Sequence, residues 1–150
     1  MEQRSKGQGK KEPLELLRSH NLRVTPQRLE ILKEIQRTED HPSATELHRR
    51  VRRKFPNISL DTVARSLEQF AKIGICRWVE GYDDVRRYDG MMERHHHFHC
   101  IRCKRILDVR PEALEEPPLP SLRDERFKVI DFRILLEGIC KKCMEREQDP

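Results

Sequence analysis

The sequence predicts an α+β chain of two small domains: an N-terminal winged helix-turn-helix domain and a small C-terminal α/β dimerisation domain stapled by a four-cysteine zinc site. Three observations predict it. Helical periodicity with capping signals is confined to the first half. The second half holds two C-x-x-C pairs, Cys100/Cys103 and Cys140/Cys143, among short alternating strands. Charged residues make up 38% and aromatics 5% of 150 residues, too polar a composition for one large core.

Residues 1–12 are polar, basic and aperiodic and read as a flexible arm. The DNA-binding domain is expected over 13–90. An amphipathic turn starts at Pro13 with Leu14, Leu16 and Leu17. Thr25-Pro26 reads as an N-cap with proline at the first helical position, opening a helix to Arg37 that buries Leu29, Ile31, Leu32 and Ile35. Ser43-Ala-Thr-Glu46 is a capping box, and its helix is expected to reach Lys54, with Leu47 and Val51 inward and Arg49, Arg50, Arg52, Arg53 and Lys54 outward. A further helix runs from Leu60 to Ile73 and stops at Gly74. Leu60, Val63, Leu67, Phe70 and Ala71 form its inward stripe, leaving Asp61, Thr62, Arg65, Ser66 and Gln69 exposed. Two short helices with a free face of small polar groups and an arginine make a helix-turn-helix, and such side chains can read base edges in a major groove. The runs 76–80 and 85–88, about the turn 81–84, read as a two-stranded wing. A plain three-helix bundle with a hairpin is the alternative.

The second domain, 91–150, begins in a stretch with four histidines, two cysteines and flanking aspartates between Tyr88 and Asp108. Four thiolates in two knuckles match a closed tetrahedral zinc site, structural because no position is left open. Free thiols or disulfides are the alternative. The run His95-His96-His97-Phe98-His99 is expected to be extended. Alternation then puts His95, His97 and His99 on one face and His96 and Phe98 on the other. Imidazoles joined by carboxylates such as Asp89 and Asp108 give a nitrogen and oxygen site suited to iron(II), manganese(II) or zinc. His96 and His99 are left open between a metal role and polar surface. The segment 105–110 reads as a strand, 111–122 as a proline-broken helix or loop, and 127–139 as a long strand whose exposed edge calls for a second copy of the chain.

Lys and Arg number 31 against 26 Asp and Glu, and the excess sits in residues 1–94, with 20 basic and 15 acidic, against 11 and 11 in 95–150. An anionic partner is therefore expected at the N-terminal half. Neither a membrane-spanning run nor a signal segment is read, and paired C-x-x-C thiols suit a reducing compartment, so the expectation is cytoplasmic.

The motifs R-V-T-P-Q-R at 23–28, H-P-S-A at 41–44, F-P-N-I-S at 55–59, T-V-A-R at 62–65, H-H-H-F-H-C-x-x-C at 95–103 and G-I-C-K-K-C at 138–143 resemble, in order and spacing, the ferric uptake regulator (Fur) family of metal-dependent repressors. The resemblance covers about residues 14–143. It implies a homodimer that binds double-stranded operator DNA, a structural Zn(2+) on Cys100, Cys103, Cys140 and Cys143, and a regulatory Fe(2+) or Mn(2+) at the hinge on His41, Asp89, His95, His97 and Asp108. Candidate DNA contacts are Thr62, Arg65, Ser66 and Gln69, with Arg23 and Gln27. An aspartate at 108 resembles the peroxide-sensing PerR branch. That branch implies derepression by iron-catalysed oxidation of a ligand histidine, His41 or His95, with hydrogen peroxide as the signal and no turnover enzyme.

Four residues depart from the family pattern. Ala64 replaces a tyrosine that contacts DNA, Lys104 a glycine after the first knuckle, Phe132 a histidine ligand of an additional metal site, and Glu137 a tyrosine. The additional site is expected to be absent or weakened. The alternative within the class is an iron- or zinc-responsive Fur/Zur-type repressor. A metalloenzyme built on His95 and His97, or a zinc-storage protein, are alternatives from other classes. Against them stand the lack of a nucleophile or substrate motif and an otherwise idle winged helix.

Overall fold

The computed structural model describes residues 12–79, 85–114, 126 and 132–148. The arm at 1–11, the turn at 81–84 and most of the expected proline-broken segment and start of the long strand lie outside the described residues.

Four helices open the chain: α1 (Pro13–Ser19), α2 (Pro26–Arg37), α3 (Ala44–Val51) and α4 (Leu60–Lys72). Each of the last three starts at an oxygen-bearing side chain that accepts an otherwise unpaired amide. Thr25 accepts from the Arg28 amide at 3.2 Å and Ser59 from the Thr62 amide at 3.1 Å. The Ser43 box is reciprocal: Ser43 Oγ accepts from the Glu46 amide at 3.2 Å, and Glu46 Oε2 accepts from the Ser43 amide at 2.7 Å. Gly74 ends the run at φ +79°, the left-handed conformation that glycine adopts without strain.

The core beneath these helices is Leu17, Ile31, Leu32, Ile35, Leu47, Val51, Val63, Leu67 and Phe70, all fully buried. Three expectations are corrected. Helix α3 stops at Val51, not Lys54, and beyond it Lys54 Nζ turns back to Glu30 Oε1 at 2.5 Å, which lets Glu30 be buried inside α2. Arg50 is half-buried rather than outward, held at 2.5 Å from Asp40 Oδ2. Leu60 is 42% exposed, because the inward face of α4 begins only at Val63.

Strands β1 (Arg77–Val79) and β2 (Arg87–Asp89) pair antiparallel, with Arg77 opposite Asp89, and form the expected wing. The base of the wing is joined to the loop before α3. Ser43 bridges Arg87, and the Tyr88 amide donates to the Pro42 carbonyl at 3.1 Å.

A second sheet has the order β4-β3-β5, built from β3 (His96–Cys100), β4 (Ile106–Val109) and β5 (Leu135–Gly138). Strand β4 runs antiparallel to β3 and β5 parallel to it. Helix α5 (Lys141–Gln148) follows. Among the described residues the buried cluster here is Cys100, Cys140 and Cys143, with Phe98 and Ile139 packed on it. A metal crosslink among such thiols adds folding free energy to a small sheet.

Removing the Ser43 hydroxyl breaks half of the capping box. Ser43→Ala is expected to cost about 1 kcal/mol, measured as a lower urea midpoint with an unchanged slope.

Candidate metal centres and nucleic-acid face

The two C-x-x-C turns bring Cys100, Cys103, Cys140 and Cys143 together with all sulfurs within 4.8 Å of one another. Cys100 Sγ lies 3.9 Å from Cys143 Sγ and Cys103 Sγ 3.7 Å from Cys140 Sγ. Disulfides need about 2.05 Å, whereas a tetrahedron with zinc–sulfur bonds of about 2.3 Å has edges of about 3.8 Å. The sulfurs therefore stand at the corners of a zinc site. Burial would raise the Cys100 thiol, but backbone amides of Cys140, Cys103 and Arg102 converge on its sulfur and bring it down to about 6. Cys143 is pushed up to about 12 by burial and by its three sulfur neighbours. Without a cation the four groups cannot all ionise, and with Zn(2+) they do.

Lys104 follows the first knuckle at φ +60°, left-handed backbone. That explains why the family pattern has glycine there; the ligand set is untouched.

The second centre brings together candidate ligands from five places: His41, Asp89, His95 and His97 form one group of mutually close donor atoms, and Asp108 adjoins it. His41 sits in the loop before α3 at φ +50°. It is fixed there by neighbours: Asp40 is tied to Arg50 and Thr38, and Arg87 Nη1 donates to the His41 carbonyl at 3.4 Å. Strained backbone of this kind persists only where its surroundings hold it. Asp89 ends β2. His95 precedes β3, His97 lies within it, and Asp108 faces His97 across the β3/β4 pair. The expected alternation holds, and it aims His95 and His97 at the same point.

The distances between donor atoms are those of a coordination shell. His95 Nε2 is 3.1 Å from His97 Nε2 and 3.0 Å from Asp89 Oδ2. Asp108 Oδ1 is 2.9, 3.5 and 3.7 Å from the Nε2 atoms of His41, His95 and His97. Bonds of about 2.1 Å to one ion leave neighbouring ligands about 3.0–3.6 Å apart. Asp89 Oδ2 and Asp108 Oδ1 are buried and, apart from the imidazole nitrogens that face them, have no hydrogen-bond partner among the described residues. Buried carboxylate oxygens compensated only in part are costly, and a cation between them removes the cost. The residues present fit a divalent ion with nitrogen and oxygen ligands.

Burial alone would raise Asp89, but the adjoining His95 imidazole and the Met91 amide hold it below the usual carboxylate range. The same pairing raises His95. Burial, then the His41 and His95 rings, lower His97 to about 4, so its lone pair is free at neutral pH.

His96 and His99 are not surface groups. His96 is fully buried, its Nδ1 accepting from the Ile134 amide at 3.1 Å while its ring stacks on Phe132 at 6.2 Å. His99 is 4% exposed. Phe132 also carries the Arg94 guanidinium 4.4 Å above its ring, an organic cation where the family pattern has a metal ligand.

On α4, Arg65 is exposed and paired with Asp61 at 2.9 Å. Thr62 is half-buried, its hydroxyl 2.8 Å from Ser59 Oγ. Gln69 is half-buried, with Oε1 accepting from Arg28 Nη2 at 3.1 Å. Arg28 also donates to the carbonyl of Arg23, which is exposed, and so links it to the same face; Gln27 is half-buried near the start of α2. Ser66 corrects the expected exposure: it is 6% exposed and donates its hydroxyl to the Thr62 carbonyl at 2.8 Å. Glu30 and Asp40 are supporting residues that sequence reasoning did not single out, and Arg50 it placed facing outward. The signal was unlike charges close to one another in α2, α3 and the loop between them.

Fold and centres together define a metal-binding winged-helix protein with one sulfur site and one nitrogen and oxygen site. The model of the ferric uptake regulator family matches residues 19–137, and the chain belongs to that family. It is 32% identical over 137 residues to the peroxide operon regulator of Bacillus subtilis (strain 168), covering 91% of this chain and 94% of that protein. It is 33% identical over 134 residues to the peroxide-responsive repressor PerR of Staphylococcus epidermidis, covering 89% of each. Among solved structures, the Campylobacter jejuni peroxide stress regulator aligns with a TM-score of 0.64 and 30% identity, over 87% of this chain and 98% of that one. Among the described residues no helix is long and apolar enough to cross a membrane.

Two outcomes test the centres. Protons compete with metal for His95, whose pKa is raised, so affinity for manganese(II) is expected to fall as pH drops from about 8 to about 6. His97, already neutral there, contributes nothing to that slope. Asp89→Asn removes the carboxylate that holds the proton on His95 and should lower the pH at which the His95 ring titrates in the metal-free protein, read from its imidazole NMR shifts. Cys100→Ser should release the zinc and unfold the β3–β5 unit, read as lost zinc content together with early thermal unfolding.

Proposed function

We propose that the chain is a metal-dependent transcriptional repressor that binds double-stranded operator DNA as a homodimer and is released by hydrogen peroxide. The observation that carries this is the His41, Asp89, His95, His97 and Asp108 cluster, whose ligands come from both halves of the chain. The winged-helix domain runs to about residue 90 and the metal-binding dimerisation domain starts at 91. Exposed Arg65, with Thr62, Gln69, Arg23 and Gln27 around it, makes the DNA-facing surface, and the basic excess of the N-terminal half supplies phosphate attraction.

His41 and Asp89 move with the winged helix, while His95, His97 and Asp108 belong to the sheet. Holding all five at one point fixes the angle between domains and, through the dimer, the spacing of two recognition helices. Bound there, manganese(II) or iron(II) supplies that crosslink, and iron(II) additionally supplies the redox chemistry by which hydrogen peroxide oxidises an adjacent ligand imidazole. In that step a ring C–H of His41 or His95 becomes C–OH, taking one peroxide oxygen, and the other oxygen leaves as water. The altered ring no longer serves as a ligand, and the winged helices lose their fixed spacing. Similarity to peroxide-responsive repressors, and carboxylates at both 89 and 108, support peroxide over metal supply as the signal.

The test uses DNA selected from random sequence by manganese-loaded protein, followed by gel shift with manganese(II) or anaerobic iron(II), before and after peroxide. Loss of binding in the iron form alone, with a one-oxygen mass gain on the His41 or His95 peptide, is expected. An iron form that keeps its DNA after peroxide would make the protein a metal-supply regulator.

A further inference from the structure

We propose that Gly90 and Arg77 are positioning residues for the nitrogen and oxygen metal site. They fasten residues 90–92 to the winged-helix unit, so that Asp89 is delivered together with His41 and the joint between domains shrinks to the Met92–Glu93 link. The inference rests on reading the His/Asp cluster as the regulatory metal site.

At Gly90 the chain leaves β2 pressed against the end of α2. A Cβ there would lie 2.3 Å from the Ile35 carbonyl oxygen, 2.7 Å from its carbon and 3.0 Å from the Gln36 nitrogen. These are all helix backbone atoms, so no side-chain rotation relieves the clash. Only glycine lets the strand end this close to α2. One residue on, the Met91 amide donates to Asp89 Oδ1 at 2.7 Å. That occupies one carboxylate oxygen and leaves Oδ2, 3.0 Å from His95 Nε2, aimed into the site. Another residue on, Arg77 Nη2 donates to the Met92 carbonyl at 2.9 Å. Arg77 lies opposite Asp89 in the wing, so the anchor and the ligand belong to one strand pair.

The next contacts belong to the other body. The Glu93 carbonyl lies 2.8 Å from His95 Nδ1, and the Arg94 guanidinium covers Phe132. Meanwhile the His41 loop is bonded to β2 through Pro42, Ser43 and Arg87. His41 and Asp89 are therefore carried by one piece and His95, His97 and Asp108 by another, with a single chain link between them. A joint this short allows few relative orientations, and ligands on both sides suffice to choose among them.

The test is a double-mutant cycle on manganese(II) affinity, measured by competition with a fluorescent chelator, with zinc content and the far-UV spectrum followed in parallel. Gly90→Ala is expected to weaken manganese binding roughly tenfold or more, in line with other residues that orient ligands, while zinc stays bound. Because Gly90 acts through Asp89, adding Gly90→Ala to Asp89→Asn should cost nothing further. If Gly90→Ala keeps full affinity, or adds its whole factor on top of Asp89→Asn, the positioning role is wrong. If Asp89→Asn alone leaves affinity intact, the ligand assignment itself fails, and the positioning role fails with it. Should Gly90→Ala not fold, Arg77→Gln, which removes the Met92 anchor without a clash, takes its place in the same cycle and is judged by the same outcomes.

Discussion

Two carboxylates and three imidazoles converge in one buried place, and the arrangement of the chain around them follows from what that costs. Asp89 is 4% exposed and His95 2%. Anionic oxygens in such surroundings need compensation, and the protein supplies only part of it: one amide on Asp89 and the neighbouring ring of His95. The remainder has to come from a cation. A site whose ligands repel or go unpaired when empty, and satisfy one another when filled, is a two-state element, because its stability depends on occupancy.

The two centres draw their ligands differently, and this divides their tasks. All four cysteines lie in or beside the β3–β5 unit, so a metal there can hold only that unit together. Its free energy adds directly to the stability of that small sheet. The histidine and aspartate centre spans both halves, so a metal there bears on the angle between them and on little else. Thiolates suit the permanent task, since a soft, closed zinc site exchanges reluctantly. Nitrogen and oxygen ligands suit an ion that must come and go.

Much of this was legible in the sequence where the chemistry is local. Paired C-x-x-C spacing, the Thr25 and Ser43 caps, Gly74 and the alternation of His95 and His97 are written in a few adjacent residues, and their geometry follows from local chemistry and backbone period. Burial was less legible. Ser66 and Thr62 are one helical turn apart on a polar-looking face, yet the Ser66 hydroxyl satisfies itself on the Thr62 carbonyl and turns inward. His96 alternates with the ligands, but whether its face is covered depends on Phe132 and Ile134, distant in sequence. His41 entered only through family resemblance, since a lone histidine in a loop carries no spacing signal of its own.

Gly90 marks the limit of that legibility. In sequence it is a glycine after a short strand, indistinguishable from any turn residue. Its φ is not among the positive ones, so no turn geometry requires glycine. What requires it is the carbonyl of Ile35, from a helix more than fifty residues earlier, and that helix is placed by the same core that seats α3 and the His41 loop. Packing in the winged-helix domain thus reaches the metal site through the backbone at Gly90 and through the loop ahead of α3. Two ligands are set by one core, and the core knows nothing of the sheet that supplies the others. Coupling between metal and domain angle needs no further wiring than this: two rigid bodies, one short link, and an ion that is stable only when both sets of ligands meet.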